Sequence, residues 1–371
     1  MDVQVLIPTA DPIALPAPFW VFKLLLVVTF LLHLLAMNFM LGGGLVAAFA
    51  RLRPQRDENA RRLFDDVSKK IPALLAATIT LGIAPLLFLQ VLYGQFFYTS
   101  SVIIGWPWFL VIVFVTLAYY GFYLVAFKSE RAPQPMARII LFSLLLIVVV
   151  GFIYSNNLTL MLTPEKWVAK YHADPSGWNL NGSEPTLIPR FLHFMVAAVA
   201  IGGLYIAGLG LLRWKKDTDY ARYLIRYGGR WFMYTTMVQF VVGLWFLISQ
   251  PRPQMMLFLG DNVLATAAFF IALLAALAAV FVTSEALRKE EPRPALYLVS
   301  GLMFAVIVLM VTMREILHDA YLASHFKAES FAVQTQWQVL PLFLLLFLAG
   351  VVLWTMMLRR YFATSQVPVS K

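Results

Sequence analysis

Nine stretches of this chain are each apolar over about twenty residues, and that pattern restricts the fold more than any other feature. They cover approximately residues 20–50, 71–93, 104–127, 138–160, 188–212, 231–249, 262–283, 295–314 and 338–358. A bilayer core about 30 Å thick is crossed by about 20 residues of α-helix. The expected fold is therefore all-α and polytopic, with nine transmembrane helices. Composition agrees: 61% of the 371 residues are hydrophobic and 13% charged, against about 25% charged in a soluble domain. A soluble enzyme, a disordered chain and a nucleic-acid-binding domain are excluded. The segment ahead of the first stretch holds Asp2, Pro12, Pro16 and Pro18 and no basic residue. It reads as a surface segment and not as a signal peptide.

The net charge of +10 is a matter of topology. One set of alternating connections carries Arg51, Arg53, Arg56, Arg61, Arg62, Lys69 and Lys70, then Lys128, Arg131 and Arg138, then Arg213, Lys215, Lys216, Arg222, Arg226 and Arg230. Arg288, Lys289 and Arg293 follow, with Arg359, Arg360 and Lys371 in the tail. That side holds 22 basic residues and the other 7. Basic residues gather on the cytoplasmic side, so the N-terminus is expected outside and the C-terminus inside. Trp20, Trp106, Trp108, Trp167, Trp178 and Trp337 fall near the outer helix ends, as an interfacial aromatic belt does.

All 19 acidic residues fall in termini, connections or helix ends. Proton-coupled carriers keep ionisable groups within the membrane despite their cost, so a transporter is disfavoured; a carrier for a neutral solute stays open. There is no cysteine, which excludes disulfides, iron–sulfur clusters and covalently attached haem.

The histidines point to chemistry. His33 is followed at nine and ten residues by Gly42 and Gly43, and then by Arg51; His193 is followed at the same spacing by Gly202 and Gly203, and then by Arg213. Four helices separate the two. The chain therefore reads as two four-helix units, 1–163 and 164–335, with a ninth helix and cytoplasmic tail at 336–371. Imidazole is a common axial ligand of haem iron, and small residues let a flat macrocycle approach a helix. The opposing reading is a helix–helix hydrogen bond for the histidine and close helix packing for the glycines. His318 is a third ligand candidate. Arg314, four residues before it on one helix face, and Arg190, three before His193, are suited to pairing with haem propionates. At the outer ends of spans four and eight, Tyr154, Asn156, Asn157, Glu315, Asp319 and Tyr321 offer hydrogen bonds to a quinol headgroup. Glu315, Asp319 and Tyr321 provide a proton exit. His172 and His325 are expected in solvated outer loops, and Met195, Met310 and Met313 in packing.

On these residues the chain resembles subunit I of cytochrome bd-type quinol oxidases. The first helix reads Leu32-His33-Leu34-Leu35-Ala36, the fifth opens Arg190-Phe191-Leu192-His193, and the fourth ends Asn156-Asn157-Leu158-Thr159-Leu160-Met161-Leu162-Thr163-Pro164. The resemblance implies nine spans with an outer N-terminus and a bacterial plasma membrane. It implies two or more haem b groups on His33, His193 and His318, and exchange with the quinone pool. The family's glutamates in spans two, three and eight have no counterpart; span two reads Gly82-Ile83-Ala84-Pro85-Leu86-Leu87-Phe88-Leu89-Gln90. The long loop after span six is also missing. The expectation is thus a cytochrome b subunit that passes electrons between quinol or quinone and an outer-face partner such as a c-type cytochrome, without oxygen chemistry. Membrane lipid surrounds it, and a second membrane subunit or a dimer is a further expected partner. An oxygen-reducing quinol oxidase subunit and a haem-free membrane anchor are the alternatives.

Overall fold

A computed structural model describes residues 6–9, 13–52, 57–128, 133–328 and 331–364. Pro12, Arg53, Arg56, Arg131 and Lys371, used above, lie outside the described residues, as does Asp2. Among those described the secondary structure is helical: α1 (Phe19–Leu52), α2 (Glu58–Ser68), α3 (Ile71–Ile103), α4 (Gly105–Lys128), α5 (Pro133–Met161), α6 (Trp167–Ala173), α7 (Leu187–Arg213), α8 (Thr218–Ile248), α9 (Arg252–Met256), α10 (Val263–Ala286), α11 (Arg293–Leu322) and α12 (Val339–Thr364). Among the described residues nine helical segments are long and apolar enough to cross a membrane, the short α2 running into α3 as one of them.

Several helices outrun the apolar stretches that announce them. α8 begins at Thr218, thirteen residues before its apolar run, because hydrocarbon ends there but helical hydrogen bonding does not. Its start is set by a cap: the Asp217 carboxylate accepts from the Tyr220 N–H at 3.1 Å. Asn262 starts α10 in the same way, accepting from the Ala265 N–H at 2.9 Å. α3 is interrupted. Pro85 lies inside it, and Tyr93 leaves helical geometry at φ −132°, ψ 31°. Pro85 has no N–H to offer the Leu81 carbonyl.

The chain forms two compact units, residues 1–10 with 25–326 and residues 11–24 with 327–371. In the larger, α4 packs on α5, α7 on α8 and α10 on α11. Its core gathers Ala200, Phe232, Ala276, Val299 and Val306, with Met310 and Met313 packed against them. Gly42 of α1 and Gly202 of α7 meet back to back. A Cβ on Gly42 would fall 1.8 Å from the Ala198 carbonyl oxygen, and one on Gly202 would fall 2.1 Å from the Gly42 carbonyl carbon. Only glycine permits this crossing.

At the end of α7, two ion pairs join it and α8 to α2. Arg62 bonds Asp217 at 2.6 Å, and Arg213 bonds Asp66 at 2.9 Å. The Tyr220 hydroxyl donates to Asp66 at 2.9 Å, and the Arg62 guanidinium sits 4.0 Å from the Tyr220 ring centre. The hydrogen bond from Arg62, followed by that from the Tyr220 N–H, holds the Asp217 carboxyl below its ordinary range.

In the smaller unit, Leu15 pairs with Val333 in an isolated parallel bridge. The Leu15 N–H donates to the Ala332 carbonyl at 2.8 Å, and the Gln334 N–H donates to the Leu15 carbonyl at 2.9 Å. Phe19 packs against Phe331 with ring centres 6.1 Å apart.

Candidate functional site

His33 is held from α3. Its Nδ1 lies 2.9 Å from the Thr78 carbonyl oxygen. A carbonyl can only accept, so Nδ1 carries the proton and Nε2 keeps its lone pair. One turn beyond Thr78 the ring lies against bare backbone: a Cβ on Gly82 would come within 2.8 Å of Nδ1 and 2.9 Å of Cε1.

His193 has a parallel setting. Its Nδ1 lies 2.9 Å from Nε2 of Gln239 on α8. One turn beyond Gln239, a Cβ on Gly243 would fall 3.3 Å from the His193 Cε1. In each case the histidine of one helix is gripped at Nδ1 by the next long helix, four residues ahead of a glycine that faces the ring. His33 precedes Gly82 by 49 residues and His193 precedes Gly243 by 50. The two environments differ in protonation. The Gln239 amide also donates to the His193 carbonyl at 3.0 Å; as a donor to both groups it would put the ring proton on Nε2. Turning the amide over would let Oε1 accept from Nδ1–H and free Nε2, but it would also set Oε1 against the His193 carbonyl oxygen at 3.0 Å, acceptor against acceptor.

An aromatic ring and an arginine complete each setting. Phe30 lies 6.4 Å from the His33 ring, and the Arg314 guanidinium sits 4.4 Å over Phe30. Phe246 lies 5.6 Å from the His193 ring, and the Arg190 guanidinium sits 5.0 Å over Phe246. Arg190 is only 3% exposed. Its Nε meets no acceptor among the described residues, and neither does the Gln239 Oε1 meet a donor. Arg190 is within electrostatic range of Arg314, Tyr321 and Glu184. A buried guanidinium with an unused N–H calls for an anion.

Of these residues, His33 and Arg190 have the chemistry that a haem b would need, whereas His193 as arranged carries its proton on Nε2. His33 presents Nε2 in the tautomer that an axial ligand needs, and Arg190 is a buried cation suited to a propionate. Arg314 is less available, because it is paired with the neighbouring Glu315.

His318 sits in a different environment. It is buried, edge-on to Tyr93 at 4.5 Å between ring centres. Its Nδ1 is 3.4 Å from the Asp319 Oδ1, which also accepts from the Tyr93 hydroxyl at 3.1 Å. One ligand atom each from Glu315, His318 and Asp319 lie within 4.8 Å of one another. Glu315 and His318 are buried while Asp319 is exposed, so the cluster leads outward from the helix packing. The Tyr321 hydroxyl donates to Gln250 at 2.8 Å.

Other residues named from sequence are already committed. The Asn157 Oδ1 accepts from Ser100 at 2.5 Å, and its amide donates to Ser101 at 2.8 Å. Asn156 accepts from the Asn181 N–H at 2.9 Å. Asn156 thereby holds the connection between α6 and α7, and Asn157 joins the end of α5 to α3. Tyr154 is 41% exposed, and it lines a cavity of about 610 Å³ with Tyr98, Ser101 and Trp108. His172 is exposed and His325 partly so. Gly42 and Gly202 are occupied by their helix crossing; a Cβ on Gly43 would meet Tyr205, and one on Gly203 would meet Phe232 and Gly228. The glycines that face the histidine rings are Gly82 and Gly243, and sequence reasoning passed over both, along with Thr78 and Gln239. The spacing of four residues from each partner to its glycine is visible only once the contacts are known, because Thr78 acts through its backbone and Gln239 through its side chain. The chain matches no protein-family model and no curated protein.

Proposed function

We propose that this chain is a membrane cytochrome b subunit related to subunit I of the cytochrome bd-type quinol oxidases. It would move electrons between membrane quinol or quinone and a redox partner on the outer face, such as a c-type cytochrome. The observation that carries the reading is the His33 bond to the Thr78 carbonyl, which leaves Nε2 with a lone pair beside a helix face kept bare by Gly82. The parallel grip on His193 supports a second site and the two-unit arrangement 1–163 and 164–335. The excess of 22 basic residues on one side supports an outer N-terminus and an inner C-terminus. The family resemblance points to a bacterial plasma membrane.

In this reading His33 would hold iron through Nε2 with Thr78 fixing its ring through Nδ1, and His193 would do so through Nε2 once the Gln239 amide turned over on haem binding. Arg190, with Arg314 nearby, offsets propionate charge. Haem b, when bound, supplies the one-electron steps between a two-electron quinol and a one-electron partner. Protons released from a quinol leave by way of Glu315, His318 and Asp319, whose carboxylates and imidazole run from buried to exposed positions. No carboxylate falls within the nine apolar stretches of the sequence, which supports electron transfer without oxygen reduction, since that needs protons delivered to a buried site.

The test is anaerobic mixing of the purified, oxidised protein with a reduced short-chain quinol. Reduction of haem b, followed by reoxidation by an added soluble c-type cytochrome and no oxygen uptake in air, is the expected result. A haem-containing protein that the quinol does not reduce, or one that consumes oxygen with quinol, would overturn the reading.

A further inference from the structure

α8 carries a feature unconnected with the histidines. Arg222, Arg226 and Arg230 are all exposed and four residues apart, so they share one stripe and rise about 6 Å per step. The stripe continues through Tyr234, Val238, Val241 and Trp245, exposed by 60%, 50%, 71% and 44%. The opposite face, including Tyr220, Leu224, Gly228 and Phe232, is buried. The helix has 31 residues, about 46 Å at 1.5 Å each, so it exceeds a hydrocarbon core of about 30 Å. With Tyr234–Trp245 in hydrocarbon, the three arginines stand at and beyond the phosphate layer.

Neighbouring cations are arranged differently. Arg62 and Arg213 bond Asp217 and Asp66 at 2.6 and 2.9 Å. Arg288 and Arg293 bond Glu285 and Glu291 at 3.6 and 3.0 Å. Among the described residues no carboxylate lies within ion-pair distance of Arg222, Arg226 or Arg230, although Asp219 is exposed one turn before Arg222. Arg222 instead rests on Trp214, 5.8 Å from a ring centre.

We infer that this stripe is a binding site for an anionic phospholipid, its phosphate held by Arg226 and Arg230 with Arg222 alongside, and its acyl chains lying on the Tyr234–Trp245 surface. Guanidinium forks match phosphate oxygens in pairs. Three unmatched cations in a row disfavour a zwitterionic headgroup, whose own cation would be repelled. The stripe is separate from the histidine sites, so the inference stands whatever occupies them.

The experiment follows the thermal unfolding of the full-length protein in neutral detergent during titration with phosphatidylglycerol, phosphatidylcholine or glycerol phosphate. Phosphatidylglycerol is expected to raise the wild-type midpoint and the other two to leave it unchanged. R226Q/R230Q is expected to need about 30-fold more phosphatidylglycerol, and R226K/R230K, which keeps the charges but loses the paired forks, to need an intermediate amount, about 3- to 10-fold more. Equal responses to phosphatidylglycerol and phosphatidylcholine would overturn the inference. So would a response to glycerol phosphate, which would mark a site for soluble anions. A glutamine pair that titrates like wild type, or a lysine pair that loses binding as fully as the glutamine pair, would also overturn it.

Discussion

Alanine at Gly82 is expected to damage the His33 site, and alanine at Gly243 to spare the His193 site. At Gly82 the new methyl would stand 2.8 Å from Nδ1 and 2.9 Å from Cε1, where ordinary contact begins at 3.4 Å. The ring must retreat by about 0.6 Å, which stretches its 2.9 Å bond to Thr78 to about 3.5 Å, beyond useful hydrogen bonding. Losing that bond costs about 1 kcal/mol and over-packing costs about 1–3 kcal/mol. Together these amount to about 2–4 kcal/mol, or a hold on the His33 ligand weakened about 30- to 700-fold. At Gly243 the methyl would stand 3.3 Å from Cε1 and 3.5 Å from Nδ1, so a shift of about 0.1 Å suffices and the change should stay within about three-fold. The assay is transfer of haem to an excess of a haem-scavenging apoprotein, followed optically for wild type, G82A and G243A. Equal release from the two variants, or release from G82A at the wild-type rate, would refute the reasoning.

Three further outcomes are expected. Valine at Gly42 should force α1 and α7 apart by about 1.6 Å, from a 1.8 Å approach to a 3.4 Å contact, and lower stability by about 1–3 kcal/mol or more; an unchanged unfolding midpoint in detergent would contradict that crossing. Leucine at Arg190 removes a buried cation, so the haem-free protein should keep or gain stability, whereas haem release should quicken about 10- to 100-fold through loss of a charged hydrogen bond; a variant that retains haem like wild type would remove Arg190 from the propionate role. The Asp217 carboxyl is held below its ordinary range in the folded protein, so its pairing with Arg62 stabilises above the unfolded value of about 4 and fades as pH falls through the lower folded value. The midpoint gap between wild type and R62Q should therefore be full at neutral pH and close in acid, and a gap that stays constant down to pH 3 would count against the pair.

The helices were legible because hydrocarbon demands uninterrupted apolar runs. Their ends were not. Arg222, Arg226 and Arg230 halt an apolar run without halting a helix, and α8 continues back to the cap at Asp217. His33 and His193 stood out because their repeated spacing to glycine pairs is visible in one dimension. Their partners did not, for two separate reasons. Thr78 acts through its backbone carbonyl, a group every residue carries, so nothing in its identity marks it. Gly82 and Gly243 look like any membrane glycine until a ring is seen against them. The same ambiguity attaches to Gly42 and Gly202. Small residues serve cofactor approach and helix crossing alike, and only the three-dimensional approach of α1 to α7 shows which neighbours they meet. His318 looked like a third member of the histidine set. Its surroundings of Tyr93, Glu315 and Asp319 arise from the break in α3 at Tyr93 and the end of α11, which no local pattern joins.

The central claim is that His33 and His193 carry haem b. The most direct measurement is the pyridine haemochrome content of purified wild type, H33A, H193A and the double variant, normalised to protein. The account predicts haem b in the wild type, a partial loss in each single variant and its near-complete loss in the double variant. Haem content unchanged by the double substitution, or a wild type with none, would contradict it.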